Sequence, residues 1–315
     1  MSQVLVFDHD AVLRAVAPLE AVERVRHAFA EYAGGEWAMP PKLYLDAAPN
    51  GDFRAMPAQG AGVAILKWVT SFPRNPAVGL PVVTGVICVS SLADGELLAL
   101  LDARSVTALR TGAVAAVATQ ELAREDARSA GIVGCGLHGA WAARCLAAAE
   151  YGPGVCFDPD PEAAGALAGE LGWEAGSLED ALGCDIVTCV TPGAEPVVTA
   201  AGLRSGQHLN LLGADGPGKA EAELAAIGRC ALFCDEWRQA SHGGELTGAV
   251  EAGLVDRDTV AELGAVITGA ACGRPDDDAV TLFDSTGLAI QDLTICLAVL
   301  EAHRAGALRP ATVRL

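Results

Sequence analysis

The sequence predicts an α/β protein of two domains, a doubly wound parallel sheet joined to an α+β domain with a mainly antiparallel sheet. Three observations carry this. Short β-rich runs separated by prolines fill most of the chain up to residue 120. From about Ser129 strands alternate with helices, the rhythm of βαβ units. A glycine-rich turn, Gly134-Cys135-Gly136-Leu137-His138-Gly139, stands between the first of those strands and its helix.

Leu19, Val22, Val25, Ala28 and Phe29 recur at helical spacing near the start. The runs Lys42–Leu45, Phe53–Met56, Val63–Val69, Val82–Val89 and Leu97–Asp102 then read as strands. Seven prolines between Pro40 and Pro81 punctuate them. Val106 to Leu122 is helical by periodicity. In the alternating zone, Gly131–Val133 is a strand and Gly139–Ala149 a helix. Gly154–Phe157 is the next strand and Glu162–Leu171 the next helix. Strands follow at Asp185–Val190, His208–Leu212 and Ala231–Cys234. Phe283-Asp284-Ser285-Thr286-Gly287 reads as an irregular turn, followed by an apolar helix from Leu288 to about Ala302. That helix is expected to return to the first zone, so the domains are 1–120 with 288–315, and 121–287.

Of 315 residues, 51% are hydrophobic and 19% charged, which excludes a disordered chain. Lys and Arg number 21 against 40 Asp and Glu, a net charge of −19. That balance argues against nucleic acid and anionic membranes as partners. It also makes each cation near a pocket informative. No run approaches the roughly 18 apolar residues of a membrane span. Met1-Ser2-Gln3-Val4 has no basic character and is soon followed by Asp8 and Asp10, so no signal peptide is expected. Of the 10 cysteines none forms a C-x-x-C pair. They read as small buried hydrophobes of a reducing, cytoplasmic compartment, with no disulfide and no metal expected.

The turn at Gly134–Gly139 is a G-x-G-x-x-G string in the context that gives it meaning, after a strand and opening a helix. Gly134 permits the tight turn. Gly136 lets a pyrophosphate approach the backbone at the helix N-terminus. Gly139 allows close helix–strand packing. Asp158 follows about 20 residues on, at the end of the second strand, where a carboxylate receives ribose hydroxyls and repels a 2′-phosphate. This predicts a Rossmann-type domain that binds NAD rather than NADP. His138 is either a donor to the pyrophosphate or a helix-start surface residue.

Lys42, Arg54, Lys67 and Arg110 lie within or beside apolar strands and a helix start. Two readings are open: snorkelling or structural ion pairs, or a clamp for an anion. Gly213-Ala214-Asp215-Gly216-Pro217-Gly218-Lys219 follows the strand from His208. Asp215 therefore stands either where ligands meet strand ends or in an Asx turn. The polar segment Ser241-His242-Gly243-Gly244-Glu245 has the composition of a helix cap.

Taken together, these segments resemble the ornithine cyclodeaminase/mu-crystallin family, within the branch that holds NAD-dependent alanine dehydrogenases. The signposts are Met39-Pro40-Pro41-Lys42, Arg54-Ala55-Met56-Pro57, Lys67-Trp68-Val69, Leu109-Arg110-Thr111-Gly112, the Gly134–Gly139 loop, Gly213–Lys219, His242–Glu245 and Phe283–Asp292. Their order spans nearly the whole chain. The resemblance implies a homodimer, with the first zone and the C-terminal helix as the substrate-binding and dimerisation domain. It implies that Lys67 and Arg110 hold a substrate carboxylate and that Asp215 is the acid/base. It implies cofactor contacts for Arg110, Thr111, Gly134, Gly136, Leu137, His138, Gly139, Asp158, Thr191, Asn210, Gly213, Lys219 and Ser285.

Two departures bear on substrate. Where cyclodeaminases carry Arg and Glu, this chain has Lys42 and Arg54. Arg54 would repel the terminal amine of ornithine or lysine and suits a small or anionic side chain. Relatives often place a cofactor-contacting Thr at Val82; Thr84 lies two residues on. Met56, Trp68 and Thr286 are expected to shape the side-chain pocket. The expected reaction is reversible deamination of a small L-amino acid, alanine first, to a 2-oxo acid and ammonia. Lys42 is expected to bind substrate and assist proton transfer. The alternatives are a cyclodeaminase, a reductase of cyclic or N-substituted imines, and a non-catalytic NAD(P)-dependent binding protein.

Overall fold

The computed structural model describes residues 3–193, 195–216 and 218–315. Two compact units divide the chain, Met1–Arg110 with Leu288–Leu315, and Thr111–Gly287. The sequence reading put the first boundary at residue 120. The division into units falls after Arg110, within the helix Ala103–Leu122.

The first unit is built on a seven-stranded sheet. Its strands in chain order are β1 (Gln3–Phe7), β2 (Leu43–Asp46), β3 (Asp52–Gly60), β4 (Val63–Ser71), β5 (Val83–Ser91) and β6 (Leu97–Asp102), closed by Ala311–Arg314. The spatial order runs from Ala311–Arg314 through β1, β6, β5, β4 and β3 to β2. All pairs are antiparallel except β1 with β6. Alternation along β3 and β4 buries Arg54, Met56, Ala58, Ile65, Lys67 and Val69 on one face. The helix Ala289–Arg304 packs on this sheet, and most of its positions are buried. The helix Pro18–Ala33 lies beside it and presents Ala21, Val22, Val25, Ala28 and Phe29, spaced to share one face. Proline opens that helix at a position that needs no N–H, and Gly35 at φ 81° follows its end.

The second unit is a parallel sheet of eight strands, β7 (Ala130–Val133), β8 (Gly154–Phe157), β9 (Glu174–Ala175), β10 (Ile186–Cys189), β11 (His208–Leu211), β12 (Ala231–Cys234), β13 (Val260–Glu262) and β14 (Thr281–Asp284). Their order is β13-β12-β14-β11-β10-β7-β8-β9. Every residue of β7, β10, β11 and β14 is buried, as expected of a parallel sheet covered on both faces. The segment Phe283–Gly287, read from sequence as a turn, is a correction. Phe283 and Asp284 complete β14, paired to both β11 and β12, and the irregular backbone begins at Ser285. The strand order reverses between β7 and β10, which marks a switch point.

Candidate functional site

In the first unit, Lys67 is 1% exposed. Its Nζ donates to Thr107 Oγ1 at 2.6 Å and to Asp292 Oδ1 at 2.9 Å. Arg110, also buried, places Nε 3.4 Å from the same Asp292 oxygen and Nη1 3.4 Å from Gln291 Oε1. Two cations therefore share one carboxylate supplied by the C-terminal helix. Burial pulls the Lys67 ammonium down to about 8, against the Asp292 charge that raises it. Arg110 Nε, Gln291 Nε2 and Asp292 Oδ2 are buried without a hydrogen-bond partner among the described residues. Lys67 uses two of its three donors on Thr107 and Asp292. Unmatched polar atoms of both signs beside buried cations suit a polar, anionic ligand.

Arg54 is 7% exposed and is gripped by Asp52, with Nε to Oδ1 at 2.6 Å and Nη2 to Oδ2 at 3.2 Å. Its guanidinium also covers the Tyr44 ring at 5.5 Å. Lys42 is half-buried and immediately precedes β2. Met56 is directly opposite Lys67 across the β3–β4 ladder. Trp68 and Thr84 lie on the other sheet face, and Thr84 Oγ1 pairs with Thr70 at 2.9 Å.

The second unit carries the glycine loop at the end of β7. Gly134 has φ 98°, and Gly139 lies so close to the strand that a Cβ there would stand 1.8 Å from the Gly134 carbonyl. Gly136 is the reverse case: nothing lies within 4 Å of where its Cβ would be. Gly136 also caps the helix Leu137–Ala148 without a side-chain acceptor, so the first-turn amides have no cap. These three facts fit a dinucleotide: a tight turn, an open approach and donors at a helix N-terminus. Leu137 and His138 are half-buried in that first turn. Asp158 takes the Cys135 N–H at 2.7 Å and the Asp160 N–H at 2.9 Å, which pins the acid beside the loop.

Other expected cofactor residues have partners inside the unit. Thr191 donates its N–H and its hydroxyl to Glu221, at 2.6 and 2.9 Å. Ser285 Oγ and Thr286 Oγ1 both donate to Asp235, at 3.0 and 3.2 Å. Asn210 is fully buried, its amide nitrogen on Thr119 and Thr188 and its oxygen facing His208. That is a sheet-stabilising arrangement, and burial pushes the His208 imidazole down to about 3, so it is neutral there. Thr111 is buried at the start of this unit. Asp215 is half-buried on the loop after β11 and pairs with Lys219. Gly213, at the head of that loop, admits no side chain, since a Cβ would stand 2.1 Å from the Thr191 carbonyl. Pro217 of the same motif lies outside the described residues.

Sequence reasoning assigned no role to Asp292, Thr107, Gln291, Asp52, Glu221 or Asp235. An acid early in the mainly apolar stretch from Leu288 was the available signal for Asp292. Among the described residues all ten cysteines are free and no His/Cys/Asp/Glu group is arranged to hold a metal. No helix there is long and apolar enough to cross a membrane.

Residues 4–307 match the model of the ornithine cyclodeaminase/mu-crystallin family. The chain belongs to that family. It is 38% identical to an alanine dehydrogenase of Archaeoglobus fulgidus over 306 residues, 95% of either chain. It also resembles the solved structure of an archaeal alanine dehydrogenase dimer with bound NAD, at TM-score 0.94 and 36% identity over the whole of both chains. An iminosuccinate reductase of Paracoccus denitrificans in complex with NAD+ matches at TM-score 0.90 and 28% identity, again over the whole of both chains.

Proposed function

We propose that this family member is an NAD-dependent amino-acid dehydrogenase that interconverts alanine with pyruvate and ammonia in the cytoplasm. The observation that carries the reading is the buried Lys67–Asp292–Arg110 cluster with its unmatched polar atoms. A carboxylate is the ligand such a cluster is best built to receive. Lys67 supplies a point charge and Arg110 a planar donor set. Low solvent access strengthens both interactions.

The residues of the second unit suit NAD. The Gly134–Gly139 loop and the first turn of its helix would hold the pyrophosphate. Asp158 would receive ribose hydroxyls and disfavour a 2′-phosphate. NAD bound there would supply the acceptor for the hydride on the substrate Cα. The protein's own work is orientation and proton handling. Lys67 and Arg110 fix the carboxylate, which sets the direction of the Cα–H bond and contributes several kcal/mol, in order of magnitude, to lowering the barrier. Asp215 takes a proton from the water that attacks the imine carbon, and returns it as ammonia departs. Lys42 is a second cation for substrate and proton transfer.

A second reading, reduction of an imine that carries an extra carboxylate, is favoured by Arg54, a buried guanidinium on the same sheet face as Lys67. The same residue disfavours a diamino acid, whose terminal ammonium it would repel.

The test is NADH oxidation with pyruvate and with oxaloacetate, each with ammonium. Pyruvate should give the higher kcat/KM; a clear preference for oxaloacetate moves the assignment to the dicarboxylic imine. Asp215→Asn should bind NADH as the wild type does and turn over about 100-fold more slowly. Wild-type turnover in that variant removes Asp215 from the chemistry.

A further inference from the structure

Glu221 is completely buried in the second unit, two residues beyond Lys219. Its carboxylate spans two strand tips. Oε1 accepts the Thr191 N–H at 2.6 Å and the Thr191 hydroxyl at 2.9 Å, and Oε2 accepts the Gly213 N–H at 2.8 Å. Thr191 follows β10 and Gly213 follows β11, so the acid laces together the ends of adjacent strands. Its backbone is equally committed. The Glu221 carbonyl accepts from Val197 and Val198 at 2.8 and 2.9 Å. Its N–H goes to the Glu245 carboxylate, which also takes the Ala222 N–H at 2.7 Å.

We infer that Glu221 is a positioning residue whose carboxylate sets the Gly213 end of the loop after β11, and with it Asp215, against the tip of β10. The inference rests on the reading of Asp215 as the acid–base group. Three features support it. Gly213 lies where a Cβ would stand 2.5 Å from Glu221 Oε1, so loop and acid are in direct contact. Asp215 is only two residues beyond that contact. Oε1 takes two donors and Oε2 takes one, so an amide NH2 in either place would oppose an N–H. Burial nonetheless raises the carboxyl to about 7, against the pull of the Thr191 and Gly213 amides. An aliphatic side chain of similar size would fill the space without holding either loop. The Glu245 carboxylate is also raised by burial, and its bonds to the Glu221 and Ala222 amides fix the segment that carries the acid.

Glu221→Gln in the full-length protein tests this. Glutamine keeps the shape but has one acceptor oxygen, so its NH2 must oppose either the Thr191 or the Gly213 amide. Three measurements are made beside wild type and Asp215→Asn: kcat and KM for pyruvate with ammonium, NADH affinity, and amide hydrogen exchange by mass spectrometry. The expected kcat loss is about 30- to 100-fold, the scale of a small misplacement of a reacting group. KM for pyruvate should change by less than about 3-fold, because the carboxylate grip of Lys67 and Arg110 belongs to the other unit. Faster exchange should be confined to segments 190–198 and 213–222.

Retained kcat with unchanged exchange overturns the inference. So does exchange that rises throughout residues 111–287, with activity tracking the folded fraction, since that is a merely structural role. If Glu221→Gln does not fold, Thr191→Val removes only the hydroxyl bond and should cost several-fold in kcat with faster exchange at 213–222. No change in either sinks the idea. Should Asp215→Asn retain full turnover, the acid–base reading fails by itself, and the exchange data alone decide whether Glu221 holds the loop.

Discussion

Lys67 keeps an ammonium group at 1% exposure, and its neighbours decide whether it stays charged. Its ammonium comes down to about 8, lowered by burial and by Arg110 and raised by Asp292. The charged form therefore dominates at neutral pH and is lost as pH rises through about 8. A substrate carboxylate needs that charge, so kcat/KM for pyruvate should fall about tenfold per unit above about pH 8. Asp292→Asn removes the raising charge, so the limb should move toward neutral pH. A profile that stays level to pH 10 in the wild type would take Lys67 out of carboxylate binding. The same variant leaves two buried cations without their shared acid, a loss on the order of 3–5 kcal/mol that thermal unfolding would register. Lys67 was legible in sequence because a charge between Ile65-Leu66 and Trp68-Val69 stands out. Its partner was not, because Asp292 is 225 residues away and only the packing of the C-terminal helix on the sheet brings them together. Glu221 was hidden for a related reason. An acid in the stretch Lys219-Ala220-Glu221-Ala222-Glu223 reads as a solvated surface until the loops around it are known.

Elements of the second unit are held at distances that leave no tolerance at Gly139. Its missing Cβ would stand 1.8 Å from the Gly134 carbonyl and 3.5 Å from Ile132 Cγ2. Neither neighbour is the end of a flexible side chain pointing elsewhere, so Gly139→Ala must push the helix Leu137–Ala148 off β7. The first-turn amides then leave the glycine loop. NADH affinity should fall at least about 10-fold, with a stability loss of about 1–3 kcal/mol, the usual scale of overpacking. Fluorescence titration with NADH checks this, and wild-type affinity would show that the loop does not grip the cofactor through that helix. The elements themselves were largely legible where periodicity is local. β3 to β6 are β-rich runs bounded by turns, and β8 and β12 have the bounds read from sequence. β1 and the terminal strand Ala311–Arg314 were not, because they stabilise one another across the chain: Gln3 and Thr312 hydrogen-bond from 309 residues apart. Neither segment announces a strand until its partner is present. Asn210 is a further case. The family resemblance implies a cofactor contact for it, and its hydrogen bonds to Thr119, Thr188 and His208 could not be read from sequence.

For the molecule as a whole, the decisive asymmetry is on the seven-stranded sheet. One face carries Arg54, Met56 and Lys67 and is packed by helices. The opposite face runs through Leu43, Leu45, Phe53, Pro57, Leu66 and Trp68, as the β2–β3–β4 register requires. Leu43, Leu45 and Leu66 are 55%, 49% and 42% exposed, and the Phe53 and Trp68 rings stack at 5.5 Å. Apolar surface so continuous, on a chain of net charge −19, is a poor solvent face and a good interface. Like-charged copies repel at long range, so association must rest on apolar burial, for which a stable pair needs about 800 Å² on each side. The full protein should therefore sediment as a homodimer joined through this face. Leu66→Glu places a carboxylate in the middle of the face, on a strand whose other side holds Lys67. It should halve the sedimenting mass while circular dichroism keeps the sheet and helix signals of the wild type. High salt should not split the wild-type pair, because screening relieves repulsion without weakening hydrophobic contact. A Leu66→Glu protein that remains dimeric would mean the copies meet elsewhere, and this face would then need another cover.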